Sequence, residues 1–227
     1  MKKFVSILVP TKNRPEFAEN ILRNFLRQDY GVENMELIIG DDGLCEIEEI
    51  LPKNEFIKYH KWEKITLGDK RNELIKLAKG DYLIFFDDDD FYPSDKVSAC
   101  VEALELSKCE IVGSSVMYVY FPLFGDILKY GPWGKNHSTC ATLAFKKEYG
   151  EKNKFNSLNK AEERSFLNNY KNDLFQMDSL KAILVIAHNN NTVDKYKFRR
   201  MGKKTELTLD AFGLTESDKF FYKKLVK

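Results

Sequence analysis

The chain has 227 residues, 43% of them hydrophobic and 13% aromatic, enough to bury one sizeable core. Lysine and arginine (36) nearly balance aspartate and glutamate (35), so the net charge of +1 singles out no polyanionic partner. Cys45, Cys100, Cys109 and Cys140 lack any CxxC spacing, which argues against a zinc site or disulfide framework and for free thiols in a reducing compartment. No apolar run reaches membrane-spanning length, and the one at the N-terminus stops at Pro10, too short for a signal peptide. The expectation is a cytoplasmic chain, with any membrane contact peripheral.

Residues 4–9 form a nearly continuous apolar run, predicted as a buried strand that Pro10 ends. Asn13, Pro15 and Glu16 predict a capped helix start, continued by Phe17, Ile21, Leu22, Phe25 and Leu26 at helical spacing. Residues 35–39 read as a second strand, stopped by Gly40-Asp41-Asp42-Gly43, and residues 57–60 as a short third. Gly68-Asp69 opens a helix with Leu74, Ile75, Leu77 and Ala78 inward. Residues 82–86 are a further strand, and Pro93-Ser94-Asp95 opens a helix carrying Val97, Val101, Leu104 and Leu106. Beyond residue 109 the pattern is weaker: an extended segment at 110–120, a turn-rich stretch with Pro122, Gly125, Gly131, Pro132 and Gly134, a strand at 139–145, a helix at 161–170, and a strand at 180–187 ending at His188. A C-terminal helix starts near Thr215-Glu216-Ser217-Asp218. Alternating strands and helices predict an α/β fold with a mainly parallel sheet covered on both faces.

In such sheets ligands bind beyond the carboxyl ends of the strands. Three polar clusters lie at those ends: Thr11-Lys12-Asn13-Arg14, Asp41-Asp42, and Asp87-Asp88-Asp89-Asp90. Four consecutive carboxylates at the end of a buried strand repel one another strongly. Solvent, raised pKa values, basic neighbours or a bound cation must relieve that repulsion, and a hard divalent cation bridging carboxylates to phosphates is one such device.

Taken together, Val9-Pro10-Thr11-Lys12-Asn13-Arg14, Ile38-Ile39-Gly40-Asp41-Asp42-Gly43, Gly68-Asp69-Lys70-Arg71-Asn72 and Ala78-Lys79-Gly80-Asp81-Tyr82 leading to Asp87–90 resemble, in order and spacing, the family 2 glycosyltransferases of the GT-A fold. Glu162-Glu163 resembles more loosely the late acidic pair of that family, with Glu where Asp is commoner. The resemblance implies one domain over 1–227, its nucleotide side in 1–106 and its acceptor side and C-terminal helix in 107–227. It implies an inverting, metal-dependent hexosyltransferase that draws on a nucleotide sugar, UDP-linked by preference, with Mn²⁺ or Mg²⁺. The acceptor is a glycan, lipid or protein, and no nucleic acid is expected as partner.

Residue by residue, the resemblance places Thr11, Asn13, Arg14, Asp41, Asp42, Gly68, Arg71, Asp87 and Asp88 along the nucleotide, with Asp41 accepting from a uracil or thymine imide. Asp87 and Asp89 carry the DxD element, Asp89 as metal ligand, with the register within the run ambiguous by one residue. His188 is an added ligand or a hydrogen-bonded strand end. Glu163 is the base that takes the acceptor's proton, with Glu162 as fallback. Trp133 stacks on a sugar or anchors its turn, and His137 belongs to the acceptor side. The basic residues Lys195, Lys197, Arg199, Arg200, Lys203 and Lys204 leave four uses open: closing over a diphosphate, nucleic acid, an anionic membrane, or a solvated face. A nucleotidyltransferase of related sheet architecture is the competing enzyme class, disfavoured because the loop after the first strand has no glycine. A nucleotide-binding module without turnover is the non-enzymatic alternative.

Overall fold

The computed structural model describes residues 2–45 and 47–225. In chain order, β1 (Val5–Thr11), α1 (Ala18–Leu26), β2 (Met35–Asp41), β3 (Ile57–Lys61), α2 (Leu67–Leu77), β4 (Tyr82–Phe85) and α3 (Lys96–Leu106) build the first part. They are followed by β5 (Ile111–Gly113), β6 (Met117–Phe121), β7 (Asp126–Tyr130), β8 (Ala144–Lys146), α4 (Lys147–Lys152), α5 (Glu163–Phe166), β9 (Phe175–Gln176), α6 (Ser179–Ala182), β10 (Leu184–Ile186), α7 (Lys195–Phe198), β11 (Lys203–Lys204) and α8 (Glu216–Lys224).

A seven-stranded sheet runs β3-β2-β1-β4-β8-β5-β9, in which β3, β2, β1 and β4 are mutually parallel and β8 is antiparallel to both neighbours. This is the α/β, mainly parallel, helix-flanked fold expected. Apolar side chains in each central strand divide between its faces, as a period of two requires. Val5, Ile7, Val9, Leu37, Ile39, Ile84 and Phe86 join Ile21, Phe25, Val97 and Leu104 of α1 and α3 in one core. Leu8, Ile38, Leu83 and Phe85 face the other way, against Leu74 and Ile75 of α2 and Phe145, Tyr149 and Phe166. Each such fully buried side chain contributes about 1.5–3 kcal/mol.

A second sheet, β10-β6-β7-β11, packs through Tyr120, Ile127, Leu184 and Ile186 on Phe212, Leu214 and Tyr222. Helix α8 is started by a capping box in which Thr215 Oγ1 accepts from the Asp218 N–H and Asp218 Oδ2 accepts from that of Thr215.

Several expected elements differ. The first strand continues through Pro10 to Thr11, because proline's fixed φ is tolerated at an extended strand end and costs only one donor. Asn13 caps no helix. It sits at φ 52°, and its Oδ1 accepts from the N–H groups of Leu44 and Cys45; a 3₁₀ turn at Pro15–Phe17 leads into α1 instead. The 110–120 segment is split into β5 and β6, and the turn-rich stretch contains β7, which local composition did not mark and which pairs with β6. The strand expected over 139–145 is interrupted by a 3₁₀ turn (Cys140–Thr142), with β8 beginning only at Ala144. The helix expected over 161–170 shrinks to α5, because Ala161, Asn168, Asn169 and Tyr170 all take positive φ. The strand expected over 180–187 is reduced to β10, since Asp178 caps the short α6 by accepting from the Leu180 N–H. The basic run over 195–204 contains α7 and β11.

Candidate active site

The parallel register sets Thr11 beside Asp41 and Leu8 beside Phe85, so the ends of β1, β2 and β4 open on one edge of the sheet. A cleft of about 290 Å³ lies there, lined by residues that include Arg14, Arg71, all four aspartates of the run, Cys140, Glu162, Glu163 and Asn191. A second cleft of about 320 Å³ adjoins it, sharing Pro10, Arg14, Leu67, Asp88, Asn159 and Thr192, and is walled further by Thr11, Lys12, Asp42, Ile65 and Lys70.

Each of the four aspartates is held by a different set of partners, with Arg14 shared between Asp88 and Asp89. Asp87 Oδ1 accepts from Arg71 Nη2 at 3.2 Å, and the Asp87 N–H donates to Tyr92 Oη at 2.7 Å. Asp88 accepts from Thr11 Oγ1 and Arg14 Nη1, both at 2.6 Å. Asp89 Oδ2 meets His188 Nε2 and Arg14 Nη1, each at 3.0 Å, and Asn191 Nδ2 at 3.3 Å. Asp90 turns inward, where its Oδ1 accepts from the Ile186 N–H at 2.9 Å. Its carbonyl takes Asn20 and Asn24 Nδ2 and the Tyr222 hydroxyl, which bolts the loop to α1 and α8.

This arrangement splits the acidities. Burial, with repulsion from Asp89 added, pushes Asp88 up to about 7 against the pull of Arg14 and Thr11. Burial and the charges of Asp89 and Asp87 push Asp90 well above the ordinary range. Burial also raises Asp87, with Arg71 opposing and Asp89 adding. Burial would raise Asp89 too, but the hydrogen bond from His188 and the charge of Arg14 hold it below the usual aspartate value. Asp89 is therefore the carboxylate of the run most firmly kept ionised.

Across the cleft stands the acidic pair. Glu162 is buried and its Oε1 accepts from Arg71 Nε at 3.1 Å. The Arg71 guanidinium also lies 4.8 Å over the Phe85 ring, and its buried Nη1 has no partner among the described residues. Glu163 is half-buried and faces the cleft. Burial raises its carboxyl and repulsion from Glu162 adds, while Arg71 and the Tyr170 hydroxyl pull the other way. Trp133, His137 and Tyr170 form a line of rings, 5.3 Å and then 5.0 Å apart, that reaches Glu163 through Tyr170.

The other residues singled out from sequence are placed as follows. Asp41 does not line either cleft: Gly43 N–H (2.7 Å) and the Tyr59 hydroxyl (2.8 Å) occupy its carboxylate, and Asp42 is the acid on the wall, held by Lys12, Lys70 and the Ile65 N–H. Gly68 packs under the 156–158 backbone, where a Cβ would meet the Asn156 carbonyl at 1.9 Å. Asn13 braces the 44–45 loop, away from both clefts. His188 is buried behind Asp89. Lys70, Asn191 and Tyr170 were not singled out. Lys70 lies four residues before Leu74 on the inward face of α2, a spacing that marks it as buried.

A divalent cation fits this donor set on one side only. Asp89 offers a firmly ionised oxygen, the donor type that Mn²⁺ and Mg²⁺ prefer, whereas His188 Nδ1 accepts from the Asn190 N–H and leaves Nε2 as the donor to Asp89, a bond it would have to release to ligate an ion. Asp87 is turned to Arg71 and does not complete a compact trio with them. Among the described residues the group whose ligand atoms all lie within 4.8 Å of one another is Cys140, Glu162 and Glu163.

The model of glycosyl transferase family 2 matches residues 6–174. A glycosyltransferase of Rickettsia conorii is 31% identical over 105 residues, 44% of this chain and 17% of its own length. A Methanococcus voltae protein named dolichyl N-acetyl-alpha-D-glucosaminyl phosphate 3-beta-D-2,3-diacetamido-2,3-dideoxy-beta-D-glucuronosyltransferase is 38% identical over 90 residues, 37% of this chain and 28% of its own. The chain thus spans well under half the length of these curated relatives. Among solved structures, the mannosyltransferase PcManGT of Pyrobaculum calidifontis, in complex with GDP-Man and Mn²⁺, superposes with a TM-score of 0.67 at 15% identity, over 88% of this chain and 61% of that one. S. aureus TarS 1-349 in complex with UDP-GlcNAc gives 0.65 at 15%, over 83% and 60%. These likenesses establish the GT-A fold.

Proposed function

The chain belongs to glycosyl transferase family 2, and on that footing we propose that it moves a sugar from a nucleotide sugar, UDP-linked by preference, to an acceptor hydroxyl with inversion. The observation that carries this reading is the opposition, across one cleft, of the ionised Asp89, braced by His188, to the half-buried Glu163. Nucleotide sugars in the solved relatives, GDP-Man with Mn²⁺ in one and UDP-GlcNAc in another, support the donor class.

In this reading residues up to 106 supply the nucleotide side and later residues the acceptor wall. The second cleft, with Thr11, Lys12, Asp42 and Lys70, takes the nucleoside end, and the Asp87–Asp89 cleft takes the diphosphate and sugar. Arg14 and Arg71 contribute fixed positive charge beside the phosphates. A divalent cation held by Asp89, with His188 beside it, would supply charge that neutralises the departing diphosphate. Glu163 accepts the proton of the acceptor hydroxyl as that oxygen bonds to the anomeric carbon. The bond from that carbon to the diphosphate oxygen breaks, and the electron pair leaves with the nucleoside diphosphate. The raised pKa of Glu163 makes it a better proton acceptor than an exposed glutamate. The ring line from Tyr170 to Trp133 supports an acceptor side beyond Glu163.

Calorimetric titration of UDP, GDP and dTDP, first with Mn²⁺ and then with EDTA, tests the reading. UDP binding that needs the metal is expected. Equal binding in EDTA overturns the metal role, and no binding of any of the three with Mn²⁺ overturns the donor assignment.

A further inference from the structure

The basic run beginning at Lys195 contributes only that first lysine to the cleft, and the rest of it forms a lobe with the β6–β7 hairpin. The Tyr196 ring of α7 lies 5.6 Å from Phe121 and 6.4 Å from Phe124 of the β6–β7 hairpin. The Arg199 guanidinium stacks 3.9 Å over the Phe124 ring and pairs with Asp126. The Tyr130 hydroxyl donates to the Phe198 carbonyl at 3.2 Å, and β11 then adds to β7 with Lys203 opposite Lys129. The hairpin and the basic run are therefore one packed unit.

That unit leaves large apolar side chains in water: Leu123 is 61% exposed, Phe124 58%, Phe198 47% and Met201 74%. Exposed cations are interleaved with them at Lys197, Arg200, Lys203 and Lys204, and no acid interrupts residues 195–204. Arg199 is neutralised by Asp126, and Lys197 reaches Asp194 only at 3.7 Å. No ion pair among the described residues reaches Arg200, Lys203 or Lys204.

We propose that this lobe docks the protein on an anionic lipid bilayer. Such a surface satisfies both halves of the patch. Aromatic and aliphatic tips enter the boundary between headgroups and acyl chains, while lysine and arginine stay at phosphate level with their stems covering apolar area. A nucleic acid would satisfy the cations and leave Leu123 and Met201 in water. The same segment, through Asn191, Thr192 and Val193, walls the cleft, so docking brings that wall to the membrane. Lipid binding needs no donor, so it stands or falls separately from sugar transfer.

The test is co-sedimentation of the full chain, without nucleotide, with vesicles of phosphatidylcholine alone or mixed with phosphatidylglycerol, at low and high salt. Sedimentation with the anionic vesicles, reversed by salt, is expected. Each of Lys203→Gln and Lys204→Gln should lower partitioning about fivefold. Phe124→Ser and Met201→Ser should lower it as well, with nucleotide binding unchanged as a check on folding. Failure to sediment with anionic vesicles, equal sedimentation with neutral ones, or full sedimentation of all four variants overturns the proposal. Retention on DNA without vesicle binding also overturns it and assigns the run to nucleic acid.

Discussion

Arg71 donates to Glu162 at 3.1 Å while its second arm reaches Asp87 at 3.2 Å, so one buried side chain ties the end of β4 to the segment that carries the proposed base. Removing its forked geometry should disturb both walls of the cleft. Arg71→Lys keeps the charge but offers a single ammonium, which cannot hold two carboxylates in fixed planes. Transfer should fall about 10²-fold through misplacement of reacting groups. Steady-state kinetics with the best donor measures this, and an unchanged kcat would show the bridge to be dispensable.

Glu163→Gln should leave metal-dependent nucleotide binding intact and lower kcat about 10²- to 10⁴-fold, the usual contribution of a positioned base. Full turnover in this variant would move the role of base to another group.

The pH profile follows from the same carboxylate. Burial and the neighbouring Glu162 raise Glu163 above 4.5, the ordinary value. The base works only when ionised, so kcat/KM should rise as pH increases through that raised value. Glu162→Gln removes the like charge and frees Arg71 to act on Glu163, so the acid limb should shift to lower pH. A limb that stays in place would show that Glu163 is not the titrating group.

Neighbouring aspartates should respond oppositely to the same substitution. Asp89→Asn removes the ionised oxygen beside His188 and should abolish Mn²⁺-dependent UDP binding. Asp90 is pushed well above the usual range, and its Oδ1 accepts from the Ile186 N–H, a role an amide oxygen can fill. Asp90→Asn should therefore change stability by less than about 1 kcal/mol, within the net value of one hydrogen bond. Calorimetry and thermal unfolding separate the two.

Arg27 clamps α1 to α8 through two bonds to Asp218, at 3.0 and 2.6 Å. Burial opposes ionisation of Asp218, but hydrogen bonds from Arg27 and Thr215 overcome it and hold the carboxyl below 3.8. A depressed acid stabilises the fold fully above its unfolded pKa and loses that contribution as pH falls through the folded value. Asp218→Ala should cost about 1–3 kcal/mol at neutral pH, because the half-buried Arg27 loses its charged acceptor and the α8 capping box is broken. The cost should shrink as pH falls below 3.8 toward and past that depressed value, which denaturant titration at several pH values would reveal.

The first 106 residues were readable because their signals are local. Val5, Ile7 and Val9, or Leu74 and Ile75, announce strand and helix by spacing, and chain direction alone puts Thr11, Asp41 and Asp87 at strand ends. The second part depends on partners distant in sequence. Residues 161–170 carry helical composition, yet Asn168, Asn169 and Tyr170 turn left-handed as Phe166 and Leu167 are drawn into the core beside Phe145 and Tyr149. Strand β7 forms only because β6 is there to pair with it.

The same division holds within the site. The amino-acid sequence by itself determined that four carboxylates would crowd the end of β4 and that their repulsion would need relief, because both follow from adjacency along the chain. Which carboxylate stays ionised was decided only in three dimensions. Arg14 reaches Asp88 across 74 residues, Ile186 reaches Asp90 across 96, and His188 reaches Asp89 across 99. Burial makes every one of these charges costly, so the partner that folding brings to each oxygen sets its state.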